Sequence, residues 1–264
     1  MRTRQRVGAG LLVLALAGGI AACGDDDDDA TDTTEAPGSG GEEASGDNAA
    51  FCDALVEFNG AVSSVELDES STPEDVTAAG EQLAPLFATI AAEAPADLAD
   101  TADELNETVQ PLTEGDAEAF NQDSTFETYG EFVGSAIEAC EFDTVDVTGV
   151  DYAFEDVPET IEAGTVAFNF TNATEAEEDH EMIVFRRADG VTLGFEELLE
   201  LGEEESADKI EFKTAAFAPP GGEGATLAEL DPGAYAMVCF VPVGGGEEGP
   251  PHFTQGMIQE FAVE

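Results

Sequence analysis

The chain has 264 residues, of which 60 are Asp or Glu and 7 are Lys or Arg, giving a formal charge of -53. A field of that sign excludes nucleic acid and anionic headgroups as partners and favours cationic ones. With 42% hydrophobic and 8% aromatic residues, the chain holds enough apolar material for packed cores, so it is not wholly disordered, and its length allows one or two domains. Solubility, or a high-salt setting, is the simplest use of such charge; a docking face for a basic redox partner is the alternative.

Arg2, Arg4 and Arg6 form a positive start, and Val7 to Ala22 is an apolar run too short and Gly-rich for a comfortable membrane span. The run ends Ile20-Ala21-Ala22-Cys23, which resembles a bacterial lipobox. The resemblance implies cleavage before Cys23, with residues 1–22 as signal peptide, lipid attachment to the Cys23 sulfur and anchorage to the bacterial membrane on its extracytoplasmic side. Residues 23–49 start with Asp25 to Asp29 and continue rich in Thr, Glu, Gly and Ser. Like charges without apolar periodicity predict a solvated, disordered tether.

Residues 50–142 carry helical periodicity. Phe51, Leu55, Phe58, Val62 and Val65 share one face. Thr72-Pro73-Glu74-Asp75 reads as a cap, a first-turn proline and first-turn acids, with Leu83, Leu86, Phe87 and Ile90 continuing that helix. Leu98, Ala102, Leu105, Val109 and Leu112 form a third stripe, stopped by Pro111 and Gly115. A short helical piece is expected at Asp116 to Asn121. Ser124 to Glu127 reads as a capping box before Phe126, Tyr129, Phe132, Val133 and Ile137. The expected architecture is an antiparallel bundle of about four helices. Cys52 opens its first helix and Cys140 closes its last, so with an even helix count the two lie at one pole. A Cys52–Cys140 disulfide is geometrically natural there, and an exported compartment permits it.

Past Phe142 the period changes to that of strands. Val145 to Phe154 predicts one or two. Val166, Phe168 and Phe170 share a face within Thr165 to Thr171, and Met182 to Arg186 follows His180. Phe195 to Leu201 reads as a short helix. Ala225 to Leu230, Ala234 to Phe240 and Met257 to Val263 complete the set. Short strands between Pro/Gly turns predict an antiparallel sandwich over residues 143–264, a separate domain after the helices.

The chain's two histidines, His180 and His252, lie in this half. With Cys23 lipidated and Cys52 paired to Cys140, Cys239 is left alone. An unpaired thiol in an oxidising compartment is a liability unless it is buried or metal-bound. Two His, one Cys and Met257 are the ligand types of an electron-transfer copper site: a trigonal His2Cys plane with a weak axial thioether.

The order His180, Cys239, His252, Met257, the His-x4-Met spacing and the Pro-Gly-x-Tyr-x3-Cys lead-in at Pro232 to Cys239 resemble the cupredoxins, the small blue copper proteins. The resemblance covers about Val145 to Glu264. It implies a Greek-key β-sandwich with copper at one end, His180 and His252 supplying nitrogens, Cys239 the thiolate and Met257 the axial sulfur. Asn172 closes the strand before the first ligand, as the family pattern asks. Departures are the long Cys239-to-His252 loop, Glu181 where many members carry Asn, and Phe240 where Ser or Thr often follows the Cys. Those missing side chains normally brace the loop and tune the thiolate.

Three functions are consistent with these residues: electron transfer, copper carriage or scavenging without a redox role, and a metal-free binding or structural lipoprotein. The chain shows no phosphate-binding Gly loop, no Ser/His/Asp set and no two-metal carboxylate cluster, so it is not expected to be an enzyme.

Overall fold

The computed structural model describes residues 48–65, 67, 71–118, 123–174, 178–244 and 249–264. The expected signal peptide, Cys23 and nearly all of the expected tether lie outside the described residues, as does part of the helical piece expected at 116–121, whose described residues 116–118 are not helical.

The N-terminal part is built of α1 (Ala49–Val62), α2 (Pro73–Glu93), α3 (Ala99–Val109), a 3-10 turn at Gln110–Glu114 and α4 (Asp123–Cys140). Helix α2 starts where its residues require. Thr72 Oγ1 accepts from the Asp75 amide at 3.3 Å, Asp75 Oδ2 accepts from the Thr72 amide at 2.7 Å, and Pro73 occupies the first turn. Helix α4 begins at Asp123, so Ser124 falls inside its first turn. The expected stripes meet in one core of Phe51, Leu55, Phe58, Phe87, Ile90, Leu105, Leu112, Phe132 and Val133. Gly80 lets α2 approach the 3-10 turn: a Cβ there would sit 2.3 Å from the Leu112 carbonyl carbon. Cys52 and Cys140 are disulfide-bonded with Cα atoms 5.7 Å apart, joining the first and last helices.

The C-terminal part is a two-sheet sandwich. One sheet orders β2 (Ala153–Glu155), β1 (Asp143–Val150), β4 (Gly164–Asn172) and β7 (Glu223–Leu230). The other orders β3 (Thr160–Ile161), β9 (Ile258–Val263), β8 (Gly233–Val238), β5 (His180–Arg187) and β6 (Ile210–Ala218). Val166, Phe168 and Phe170 of β4 point inward against Met182, Val184, Met237 and Phe261. The Tyr235 hydroxyl donates to the Asp231 carbonyl at 2.7 Å and pins the turn before β8.

Two features depart from expectation. The sandwich is not wholly antiparallel: β1 pairs with β4, and β3 with β9, in parallel. The chain leaves the first sheet after β2, adds β3 to the second and returns as β4, so β4 runs alongside β1. Alternation reports which residues face inward and is silent on strand direction. The strand β6 was not expected either. Its inward residues include Thr214, Ala216 and Ala218, too small or polar to stand out, and a bulge between Val184 and Phe185 shifts the register of β5 against it.

The helices do not stand apart from the sandwich. Ala167, Ala225 and Leu227, on the outward faces of β4 and β7, belong to the helical core. On the opposite side, α5 (Phe195–Glu200) lays Phe195 and Leu198 over Ile183, Phe185, Ala236 and Val238, followed by α6 (Glu203–Ser206). Both outer faces of the sandwich are thus covered by helix where they are apolar. No described helix is long and apolar enough to cross a membrane.

Candidate metal centre

His180 is the first residue of β5, paired with Ala218 of β6. Asn172, the last residue of β4, is fully buried and fixes this end: its Nδ2 donates to the Glu178 carbonyl at 2.9 Å and the Ala218 carbonyl at 3.0 Å. Cys239 directly follows β8. The segment between Cys239 and His252 folds back on itself, with the His252 amide donating to the Val241 carbonyl at 2.9 Å and the Val243 amide to the Pro250 carbonyl at 3.0 Å. These two pairings close the described part of the loop into a hairpin next to Cys239 and His252, despite its length. A 3-10 turn at His252–Gln255 ends at Gly256, whose φ of 116° suits glycine, and the Met257 amide then donates to the His252 carbonyl at 3.2 Å. That turn makes the His-x4-Met spacing, and the Cys239 amide donates to the Met257 carbonyl at 3.2 Å.

The structure brings His180, Cys239 and His252 together, all fully buried. His180 Nδ1 and His252 Nδ1 are 3.1 Å apart, and Cys239 Sγ lies 3.5 Å from His252 Nδ1 and 3.9 Å from His180 Nδ1. Met257 is fully buried in the same cluster as Cys239, Met182 and Phe170. Gly149 of β1 leaves room for it: a Cβ there would lie 3.3 Å from Met257 Cε and 3.0 Å from the Phe170 ring.

These distances fit a metal ion. A point in the plane of the three atoms is about 2.0 Å from each, within the usual range of metal–nitrogen and slightly short of metal–thiolate bonds. Protonation fits too. Burial first, and His252 second, push the His180 ring down to about 4. Burial also lowers His252, against the upward pull of Glu178. Both rings are therefore neutral near pH 7 and can offer lone pairs. Burial, followed by the charge of Glu181, pushes the Cys239 thiol up to about 12, so a metal would have to displace its proton. Three donor atoms converge on one another in a buried pocket, and a single cation would meet all three at once.

Two carboxylates brace the site. Glu181 Oε1 accepts from the Phe240 amide at 2.9 Å. The loop expected to lack its brace is therefore held by the Glu181 carboxyl, which burial pushes up to about 7 against that hydrogen bond. Phe240 packs edge-on to Phe253 and Phe185 at ring distances of 5.2 and 6.1 Å. The second brace is Glu178. Its Oε1 accepts from the Gly244 amide at 2.7 Å, and its Oε2 accepts from the Tyr152 hydroxyl at 3.2 Å and lies 3.1 Å from His252 Nε2. Tyr152 also sets its ring edge against His252 at 5.0 Å. Sequence reading missed both residues. Glu178 lies in an acidic run that looks like solvated surface, and Tyr152, expected within the strand pattern from Val145 to Phe154, sits instead in a turn with φ of 59°.

No family model and no curated protein matches the chain. Among solved structures it is similar to auracyanin A, a "blue" copper protein from the green thermophilic photosynthetic bacterium Chloroflexus aurantiacus, at 20% identity over 46% of this chain and 98% of that one, TM-score 0.31. It is similar to auracyanin B at 17% identity over 46% and 88%, TM-score 0.32, and to rusticyanin from Thiobacillus ferrooxidans at 18% over 46% and 78%, TM-score 0.28. At these scores the likeness adds no weight of its own, and the function has to be argued from the site.

Proposed function

We propose that this chain is an extracytoplasmic, lipid-anchored copper protein of cupredoxin type that carries single electrons and performs no enzymatic step. The observation that supports it most is the buried triangle of His180 Nδ1, His252 Nδ1 and Cys239 Sγ, with edges of 3.1 to 3.9 Å. Copper bound there would supply a one-electron couple. The chain's part is to hold donors that suit both oxidation states: two neutral imidazoles, a thiolate and the Met257 thioether as the weak axial contact. The zipped hairpin and the braces at Glu178 and Glu181 keep these donors in place, and burial keeps water off them, so little rearrangement accompanies a change of charge.

In this reading the lipid on Cys23 holds the chain to the membrane and the tether spaces the folded part from it. The helices form an antiparallel bundle that serves as spacer or docking module. Its surface fits a cationic redox partner, because residues 48–142 contain no Lys, Arg or His.

Adding Cu(II) to the purified chain tests the reading. An intense visible thiolate-to-copper band with a reversible potential is expected, and Cys239→Ser is expected to abolish the band. Tight uptake without such a band would indicate a copper carrier instead. No uptake would overturn the copper reading.

A further inference from the structure

We infer that Glu178 is a positioning residue that fixes the tautomer of His252 and biases the site toward the oxidised metal. The inference rests on the copper reading for its second half only.

The argument starts from His252 Nε2. The ring is fully buried, and its Nε2 has Glu178 Oε2 at 3.1 Å, within charge-pair reach though bent away from hydrogen-bond alignment. A carboxylate oxygen at that distance repels a lone pair and tolerates only an N–H. The proton of the neutral ring therefore belongs on Nε2, which leaves the lone pair on Nδ1, the atom 3.5 Å from Cys239 Sγ. Glu178 is itself held from three sides. The Gly244 amide takes Oε1, the Tyr152 hydroxyl takes Oε2, and Asn172 Nδ2 donates to its main-chain carbonyl. The carboxylate cannot swing away without losing its contacts to the ligand hairpin and the β1–β2 turn, and the end of β4 holds the backbone that carries it. His180 has no comparable partner among the described residues: its Nε2 is buried and unpaired. The two imidazoles thus differ: among the described residues, only the His252 Nε2 has a carboxylate oxygen in contact with it.

The chemical consequence has a sign. A carboxylate against the N–H of a ligating imidazole makes the ring a stronger donor and adds negative charge beside the metal. Both effects favour Cu(II) over Cu(I). Tyr152 moderates them by donating to the same carboxylate oxygen.

The test uses the full chain, labelled with 15N and stripped of metal by a chelator. Two-bond proton–nitrogen spectra of the His252 ring are expected to show Nε2 protonated in the wild type and in Glu178→Gln, which keeps an acceptor, and a mixture of tautomers in Glu178→Leu. Competition titrations with Cu(II) and Cu(I) follow. Glu178→Gln is expected to lose about 10- to 100-fold in Cu(II) affinity with Cu(I) affinity nearly unchanged. At 59 mV per tenfold for one electron, that raises the potential by about 60 to 120 mV. Tyr152→Phe, which frees the carboxylate, is expected to shift the potential the opposite way. A role that is merely structural would move the two variants in the same direction and leave the tautomer alone. An Nδ1-protonated His252 in the wild type overturns the inference, as do equal Cu(II) affinities in wild type and Glu178→Gln. If no variant takes up copper, the copper reading fails while the tautomer spectra still decide the role of Glu178. Melting curves of the metal-free variants check that each is folded.

Discussion

The helical part and the sandwich rim are both buried, and they are buried for different reasons. The helical core is almost pure hydrocarbon, with one disulfide and no cationic or imidazole group in residues 48–142. The rim of the sandwich buries two imidazoles, a thiol and an amide at Asn172, with two half-buried braced carboxylates beside them, within one end of the fold. Burying polar groups costs free energy unless each finds a partner. The helical part thus gains stability from non-directional burial, whereas the rim gives up stability to hold particular atoms at fixed separations. All four Lys and Arg residues after Arg6, namely Arg186, Arg187, Lys209 and Lys213, lie on or next to β5 and β6, and the pair Arg186–Glu211 sits well along those strands from His180.

That contrast can be broken experimentally. The largest effect is expected from removing the disulfide. Cys52→Ser with Cys140→Ser should destabilise the helical part by roughly 4 to 5 kcal/mol in the entropic model, since the bridge closes a loop of 88 residues. Denaturant unfolding followed by circular dichroism measures it, and copper uptake at low denaturant should persist.

Acid should act on the rim instead. In unfolded chain a histidine titrates near 6.5, whereas buried His180 titrates at about 4. Above pH 6.5 both states are neutral and this stability is fully present. As pH falls toward 4 the unfolded chain takes up the proton first, so stability is lost across that window, by roughly 2 to 3 kcal/mol. Chelator-treated protein melted at a series of pH values should show it.

Leu227→Ala sharpens the comparison at the junction, because Leu227 is a sandwich residue buried in the helical core. A loss of about 2 to 3 kcal/mol is expected, with the helical and strand signals still unfolding in one transition. Two separate transitions would show that the shared face does not couple them. Gly149→Ala is expected to cost about 1 to 2 kcal/mol by crowding Phe170 and Met257, and to shift the visible spectrum of the copper-loaded protein. Tyr235→Phe should be mildest, about 1 kcal/mol for its hydrogen bond to Asp231, with no spectral change.

Much of this molecule was legible before folding, and unevenly so. The helical stripes, the cap at Thr72 and the inward face of Val166, Phe168 and Phe170 follow from periodicity and local chemistry, which depend on near neighbours. The pairing of Cys52 with Cys140 followed from counting helices. Strand β6 escaped because Thr214, Ala216 and Ala218 give no hydrophobic alternation, and the parallel pairs escaped because direction leaves no mark on a single strand. At the site, Glu181 was read as a missing brace, yet its carboxyl reaches the Phe240 amide.

By itself the sequence determined the residue types able to ligate a soft metal, their order, and the element types that carry them, because these depend on side-chain chemistry and short-range periodicity. Only the tertiary structure decided that His180 and His252 come within 3.1 Å, that the long loop zips shut, and that Glu178 and Tyr152 stand behind His252. Those are contacts between residues far apart along the chain, set by how two sheets close on each other, and no local pattern encodes them.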